Sequence, residues 1–220
     1  GKNLVFAPGY GAAFVISSTG EQSQAVMEDY DNFCKLVQTS EYIDMNGFLM
    51  VTPWDVPTET AHLHMLFSNL TLCDKAFVGC SISRQAAIDA LEMAGIVWGD
   101  KQNIKNKPVM ISLISAISPL IYSQEMSAAL IELAKFGQPL VMTGGPKAGS
   151  TGPVTLAGVL ALQNAQILAG IALAQFVNPG APIAYGGICG PMDFRTGIIP
   201  DGAPEVSKIT SAIAQVARYY

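Results

Sequence analysis

His62 and His64 are the only imidazoles in the chain. They lie two apart in a segment whose apolar residues have helical spacing. A pair of metal-binding histidines on a helix needs a spacing of four, so residues two apart point to different faces. Glu59 and His62 make a Glu-x-x-His step, but a di-iron site would need a second copy and further carboxylates. The sequence supplies neither, so no metal is expected, and the two histidines read as part of a solvated or half-buried helix face. The run from Gly144 to Pro153 superficially resembles a phosphate loop, yet Lys147 stands three residues before Ser150 instead of next to it. It fails as a nucleotide cradle. Ser150 or Thr151 is instead expected to cap a helix opened by Pro153, where free N–H groups would favour an anion such as a carboxylate. Ordinary capping accounts for those residues equally well.

The apolar runs of strand length end in neutral groups: Asn46, Cys80 and Ser81, Ser112 and Ser115, Thr143, and Tyr185. A nucleophilic triad would need a histidine beside a Ser or Cys, and both histidines fall in mid-helix. Asp44 and Asp193 are the nearest carboxylates, and both read as surface loop residues. Such a set suits binding and positioning better than proton transfer, so a strong reagent is expected from outside the chain. Tyr10, Trp54, Tyr122, Tyr185 and Phe194 lie near the expected loop mouths. Aromatic faces attract quaternary ammonium groups, although each ring could equally pack beneath a loop.

The elements that must position these groups alternate along the chain. Residues 5–16 read as two short strands around a Pro8–Gly11 turn, and Glu21–Val37 has helical spacing. Tyr42–Val51 reads as a strand and Thr58–Leu72 as a helix after Pro57. Lys75–Cys80 is a strand, and Ser83 caps a helix running to Trp98 and closed by Gly99. Pro108–Leu113 is a strand, and Ser123 caps the Gln124–Phe136 helix, closed by Gly137. Pro139–Thr143 is a strand, followed by a long helix from Pro153 to Asn178. Pro182–Tyr185 is a strand, and Glu205–Tyr220 a final helix after a long loop.

The strands are apolar on both faces, the mark of parallel strands covered by helices. Successive strand–helix–strand units imply right-handed crossovers in an α/β barrel or an open doubly wound sheet. No Gly-rich dinucleotide turn marks a switch point, which favours the barrel. The expectation is one domain over residues 1–220, with five to six βα units of a (β/α)8 TIM barrel. A full barrel needs about 250 residues and the chain has 220, so the barrel is expected to be incomplete.

Composition narrows the function classes. Charged residues make up 13% of the chain against 50% hydrophobic ones, so much of it must be buried. A net charge of −5 leaves no basic stripe for phosphates, and nucleic acid is not an expected partner. Cys34, Cys73, Cys80 and Cys189 form no C-x-x-C pair, which fits buried free thiols in a reducing cytoplasm. The start of the chain, broken at Pro8, is too short for a leader; it lacks Met, which hints at an excised fragment. No charge occurs between Ala148 and Met192, and Val154–Val177 is long enough to cross a bilayer. Gln163, Asn164, Gln166 and Gln175 within it would be costly there. Without a Lys/Arg flank, the segment is expected to be a helix buried on most of its surface, not a membrane span.

The run Gly149-Ser-Thr-Gly-Pro-Val-Thr-Leu-Ala-Gly-Val-Leu-Ala-Leu-Gln-Asn-Ala-Gln-Ile-Leu-Ala-Gly-Ile-Ala-Leu-Ala-Gln, followed by Asn-Pro-Gly-Ala-Pro-Ile-Ala-Tyr-Gly-Gly, is similar to the trimethylamine methyltransferase (MttB) family. Its glycine betaine and other quaternary-amine members look especially close. Tyr10-Gly-Ala, Asn46-Gly47, Pro53-Trp-Asp-Val-Pro57 and Leu72-Cys-Asp-Lys-Ala-Phe77 extend the likeness over essentially the whole chain. The resemblance implies a barrel that moves a methyl group from a methylated amine to the cob(I)alamin of a partner corrinoid protein. No cofactor would then be bound by this chain itself. It also implies a parent of roughly twice this length, so portions on both sides would be missing. Some members carry pyrrolysine, expected in the strand after Tyr220.

Under that resemblance, Tyr10, Trp54 and Tyr185 are assigned to the cation. Asn46, Thr143 and the Ser150/Thr151 helix start are assigned to the carboxylate end of a betaine. Low charge and the apolar long helix suggest a large buried interface and a homo-oligomer. Two other readings stay open: a barrel enzyme with its own acid–base pair, such as an aldolase or isomerase, and a non-enzymatic binding or membrane-associated subunit.

Overall fold

A computed structural model describes residues 4–220 and divides into two compact units, one ending at Ser112 and one spanning Leu113–Tyr220. Residues 1–3, the start of the segment read as too short for a leader, lie outside the described residues.

In the first unit, β1 (Phe14–Ile16) pairs antiparallel with β2 (Gln22–Gln24). The hairpin therefore follows the Pro8–Gly11 segment instead of straddling it. Ser17 closes it: its backbone N–H donates to Glu21 O, its Oγ accepts from Glu21 N, and Gly20 adopts φ +85. The residues expected to open the first helix thus belong to β2, and α1 spans Met27–Thr39. The Asp29 carboxylate accepts from Val26 N at 2.9 Å and fixes the later start. Next come β3 (Met45–Asn46), α2 (Thr58–Leu72), β4 (Ala76–Gly79) and α3 (Arg84–Val97). The Tyr42–Val51 strand shrinks to β3, with Phe48 and Met50 buried in irregular chain. Lys75 reaches back so that Nζ donates to the carbonyls of Val37, Ser40 and Ile43 at 2.6–2.7 Å. It satisfies the open end of α1 and ties that helix to the strand after it. Ser83 Oγ accepts from Ala86 N at the start of α3, and Gly99 closes the helix at φ +87. His62 on α2 is buried, with Nε2 2.8 Å from the Asp89 carboxylate on α3. Burial acts to raise the Asp89 pKa, but hydrogen bonds from His62 and Gln85 outweigh it and hold the carboxyl below its ordinary value. His62 is therefore a buried helix-pairing residue, not a solvated one.

The strand β5 (Met110–Ala116) runs through both units. In the first unit β3, β4 and β5 are parallel neighbours. The second unit adds α4 (Gln124–Lys135), β6 (Leu140–Gly144), β7 (Lys147–Ala148), α5 (Leu156–Val177), β8 (Ile183–Tyr185), β9 (Gly190–Pro191) and α6 (Pro204–Ala217). There the order is β5, β6, β8, with β6 and β8 parallel, while β7 and β9 form a separate parallel pair. Five parallel strands interleaved with helices make an α/β fold. A closed barrel is not seen among the described residues.

Pairing register shows which face each strand residue serves, because side chains alternate. Asn46, Phe77 and Met110 are register partners, as are Met142 and Tyr185. These residues face the helices: Asn46 meets Cys34 of α1 and Asn69 of α2, and Tyr185 meets Asn164 of α5. Val78 and Ile111 in the first unit, and Leu113, Ser115, Val141, Thr143 and Ala184 in the second, take the opposite face.

Two expectations about α5 are corrected. It begins after Thr155, whose Oγ1 accepts from Gly158 N at 3.2 Å, and not at Pro153 with a Ser150 or Thr151 cap. The chain before it is held in a tight turn, because Ser150 N and Gly152 N both donate to Lys147 O, and Thr151 Oγ1 accepts from Lys147 N. Burial is also narrower than expected: only Val159, Gln163, Gln166, Ile167, Gly170 and Ala174 are buried, a single stripe. The helix is long and apolar enough to cross a membrane, yet two of its four amides occupy the inner stripe while Phe176 is 87% exposed.

Gly170 is where α5 meets the sheet. A methyl group there would fall on Met142 Cε and the Tyr122 hydroxyl. Gly170→Ala is expected to destabilise the protein by about 1–3 kcal/mol through overpacking, measured as a lower midpoint in urea with an unchanged denaturant slope.

Candidate functional site

Parallel strands present their C-terminal ends to one edge of the sheet, where ligands of α/β proteins gather. In the first unit these ends are Asn46-Gly47 and Gly79-Cys80-Ser81; in the second they are Ala116-Ile117-Ser118, Gly144-Gly145 and Tyr185-Gly186-Gly187. None carries a carboxylate, an imidazole or an ammonium group. Cys80 is buried, and burial pushes its thiol up to about 12. Burial likewise raises Tyr185 to about 12, with smaller contributions from Tyr220 and Cys189. Both groups are neutral at physiological pH. All four cysteines are free and buried, and burial lifts Cys34 and Cys189 to about 11. Thiolate chemistry is therefore disfavoured at Cys34, Cys80 and Cys189. Asp44 is exposed and accepts from Phe6 N at 2.7 Å, while Asp193 accepts from Arg195 N at 2.8 Å in an exposed turn. No group of three or more His, Cys, Asp or Glu able to hold a metal occurs among the described residues.

The residues singled out in the sequence occupy different environments. In the first unit Asn46 is fully buried. Its Nδ2 donates to Asn69 Oδ1 at 2.6 Å and Cys34 Sγ at 3.4 Å, and its Oδ1 accepts from Gly47 N at 3.0 Å. Asn69 Nδ2 in turn donates to Gly47 O. That amide is committed to joining α1, α2 and β3. Tyr10 and Trp54 present rings that are 55% and 58% exposed. Desolvation raises the Tyr10 hydroxyl above its ordinary value, with Cys80 adding to it. In the second unit Thr143 is half-buried on the sheet face away from the helices, and its Oγ1 donates to Ile114 O at 3.4 Å. Tyr185 faces the helix layer, donating to Asn164 Oδ1 at 2.9 Å, and Asn164 Nδ2 donates to the Tyr220 hydroxyl. Ser150 and Thr151 sit in the turn before α5.

A cluster absent from those assignments lies at the strand ends of the second unit. Gln166 is buried and fully engaged: Oε1 accepts from Ser118 Oγ at 3.1 Å, Nε2 donates to Ile117 O, and its carbonyl accepts from the Tyr122 hydroxyl at 2.9 Å. Gln163, one turn earlier, is 0% exposed, yet neither atom of its amide has a partner. Gly144, at the end of β6, and Gly187, two residues past β8, bring only backbone against it. The sequence signal was present, since four amides interrupt a run without charges. Composition alone does not reveal which of the four point inward.

The family model "Trimethylamine methyltransferase (MTTB)" matches residues 1–220. The chain belongs to the trimethylamine methyltransferase family. It is 44% identical to a glycine betaine methyltransferase of Desulfitobacterium hafniense, over all of this chain and 46% of that protein. It is 32% identical to trimethylamine methyltransferase MttB1 of Methanosarcina mazei, over 89% of the chain and 40% of that protein. A trimethylamine methyltransferase MttB of another Desulfitobacterium hafniense strain is 29% identical over the full chain and 44% of its own length. The chain thus spans less than half the length of these relatives.

Within this family member, Asn46 has a structural task that is separable from ligand contact. Asn46→Ala is expected to cost about 1–3 kcal/mol of stability by leaving the Gly47 N–H unpaired and Asn69 Oδ1 with only the weak Cys34 thiol donor. It should leave affinity for a methylated amine within about twofold, since both atoms of the side-chain amide are already engaged within the fold. Chemical denaturation and titration calorimetry on the same variant separate the two effects.

Proposed function

We propose that this chain is part of the (β/α)8 barrel of a cytoplasmic, corrinoid-dependent methyltransferase. Its substrate would be a quaternary methylated amine such as a betaine, and the acceptor the cob(I)alamin of a partner corrinoid protein. Five parallel strands with intervening helices, and relatives named glycine betaine and trimethylamine methyltransferases, support the reading. The observation that carries it is the neutral character of the strand ends in each unit, where burial raises Cys80 in the first and Tyr185 in the second to about 12.

The reaction explains why such an edge is sufficient. Attack on the methyl carbon breaks one N–CH3 bond, and the bonding pair stays on nitrogen. A quaternary ammonium therefore leaves as a neutral tertiary amine and needs no proton. The barrel must hold the substrate in line with its acceptor and exclude water, which together account for large rate effects without acid–base catalysis. The substrate cation loses its charge as the methyl group departs, so an uncharged, poorly solvating surround favours the transition state over the bound ground state. Buried, unreactive thiols keep the protein itself from competing for the methyl group.

In the first unit, the exposed rings of Tyr10 and Trp54 are the proposed cation contacts. In the second unit Thr143, on the strand face away from the helices, is the proposed polar contact. Tyr185 acts there through its hydrogen bond to Asn164, positioning α5, and Ser150 and Thr151 shape the turn that leads into that helix.

The complete protein, supplied with cob(I)alamin and a panel of mono-, di-, tri- and tetra-substituted methylamines, is expected to form methylcobalamin with quaternary members, seen in the visible spectrum. Formation with none of the panel would overturn the proposal. Trp54→Ala is expected to raise KM for the quaternary substrate by about threefold to thirtyfold, the range of a cation–π contact, with little change in kcat.

A further inference from the structure

Gln163 is the one amide of α5 with a fully buried side chain and no hydrogen-bond partner on either atom. A sealed, unpaired amide destabilises a fold, and natural interiors rarely retain one without a use. Its neighbour on the same stripe, Gln166, shows that the end of β5 can satisfy such a group, since Ile117 O and Ser118 Oγ engage both atoms of its amide. Gln163 lies instead against glycines. A methyl group on Gly187 would overlap its Nε2, and one on Gly144 would come within 3.8 Å of its Cγ. Gly187 holds φ +158, and a side chain there would displace the amide. Gly144 ends β6 and Gly187 follows the end of β8 by two residues, so the amide lies against backbone at the C-terminal ends of those strands.

We infer that Gln163 is a specificity residue, its amide N–H donating to the carboxylate of a betaine-type substrate once the Gly186-Gly187 backbone gives way. The inference rests on the proposed methylated-amine reading and adds the group that distinguishes a zwitterion from a simple tetraalkylammonium ion. A neutral donor suits that task. It binds carboxylate without adding a cation that would repel the ammonium end a few bonds away. A buried donor gains more from a charged acceptor than an exposed one.

The test compares glycine betaine with tetramethylammonium, which lacks the carboxylate, by titration calorimetry on the complete protein and its Gln163→Leu variant. The expected result is a loss of betaine affinity of about tenfold or more, the range of a hydrogen bond to a charged group. Tetramethylammonium affinity should change by less than about twofold, and Tm should hold or rise, because leucine removes the unpaired amide without changing its volume much. Gln163→Met, more adaptable in a tight site, repeats the measurement if the leucine variant does not fold. Equal betaine affinity in variant and unmodified protein would overturn the inference. So would an equal loss for both ligands, or no betaine binding by the unmodified protein. Betaine binding that depends on Gln163 without methylcobalamin formation would leave this inference standing and overturn the methyltransferase reading.

Discussion

A buried amide must find hydrogen-bond partners or cost stability, and the second half of this chain is arranged around two of them. Helix α5 is almost wholly apolar, yet Gln163 and Gln166 lie on its inner stripe and several apolar side chains lie outside. Gln166 is joined to the end of β5 through Ser118 and Ile117 and to Tyr122 through its backbone carbonyl. Those bonds fix the helix against the strand ends. Gly170 allows the same helix to approach Met142 of β6 closely. Gln163 is thereby held rigid, beneath Gly144 and Gly187, in a place where the fold offers it nothing.

The first half solves a comparable problem in a closed way. Asn46 and Asn69 satisfy one another and the Gly47 backbone, and Lys75 engages three carbonyls, of Val37 and Ser40 at the end of α1 and of Ile43 beyond it. Tyr30 donates to Phe48 O at 2.5 Å beside the same strand, and burial pushes its hydroxyl well above the ordinary range. Polar groups inside this unit are spent on joining helices to β3. The contrast with Gln163 is the physical basis for assigning a ligand to one amide and architecture to the other.

Much of the fold was legible in the sequence. The Ser83 and Ser123 caps, the Gly99 and Gly137 stops and the Thr58–Leu72 helix follow from local chemistry and stand where expected. Failures came where tertiary bonds decide. Gln22–Gln24 pairs with β1 instead of opening α1, because the Ser17–Gly20 turn brings it back. Thr155 takes the cap of α5, because Lys147 N and O are already engaged with Thr151, Ser150 and Gly152. Site residues were less legible, for a geometric reason: a strand-end position says nothing about facing. Asn46 and Tyr185 are the last residues of their strands and face the helices, whereas Thr143 faces away. Placing Gln163 required knowing which of four amides turns inward.

Under the proposed function, the strand ends hold and orient a substrate without moving a proton. The pH dependence of methyl transfer from a quaternary amine tests it most directly. With the Tyr185 hydroxyl and the Cys80 thiol raised to about 12, neither group titrates near neutrality. A single-turnover rate under saturating substrate should therefore be flat between about pH 6 and 9. A bell, or a slope of one across that window, would place an essential acid or base in the site and contradict the account.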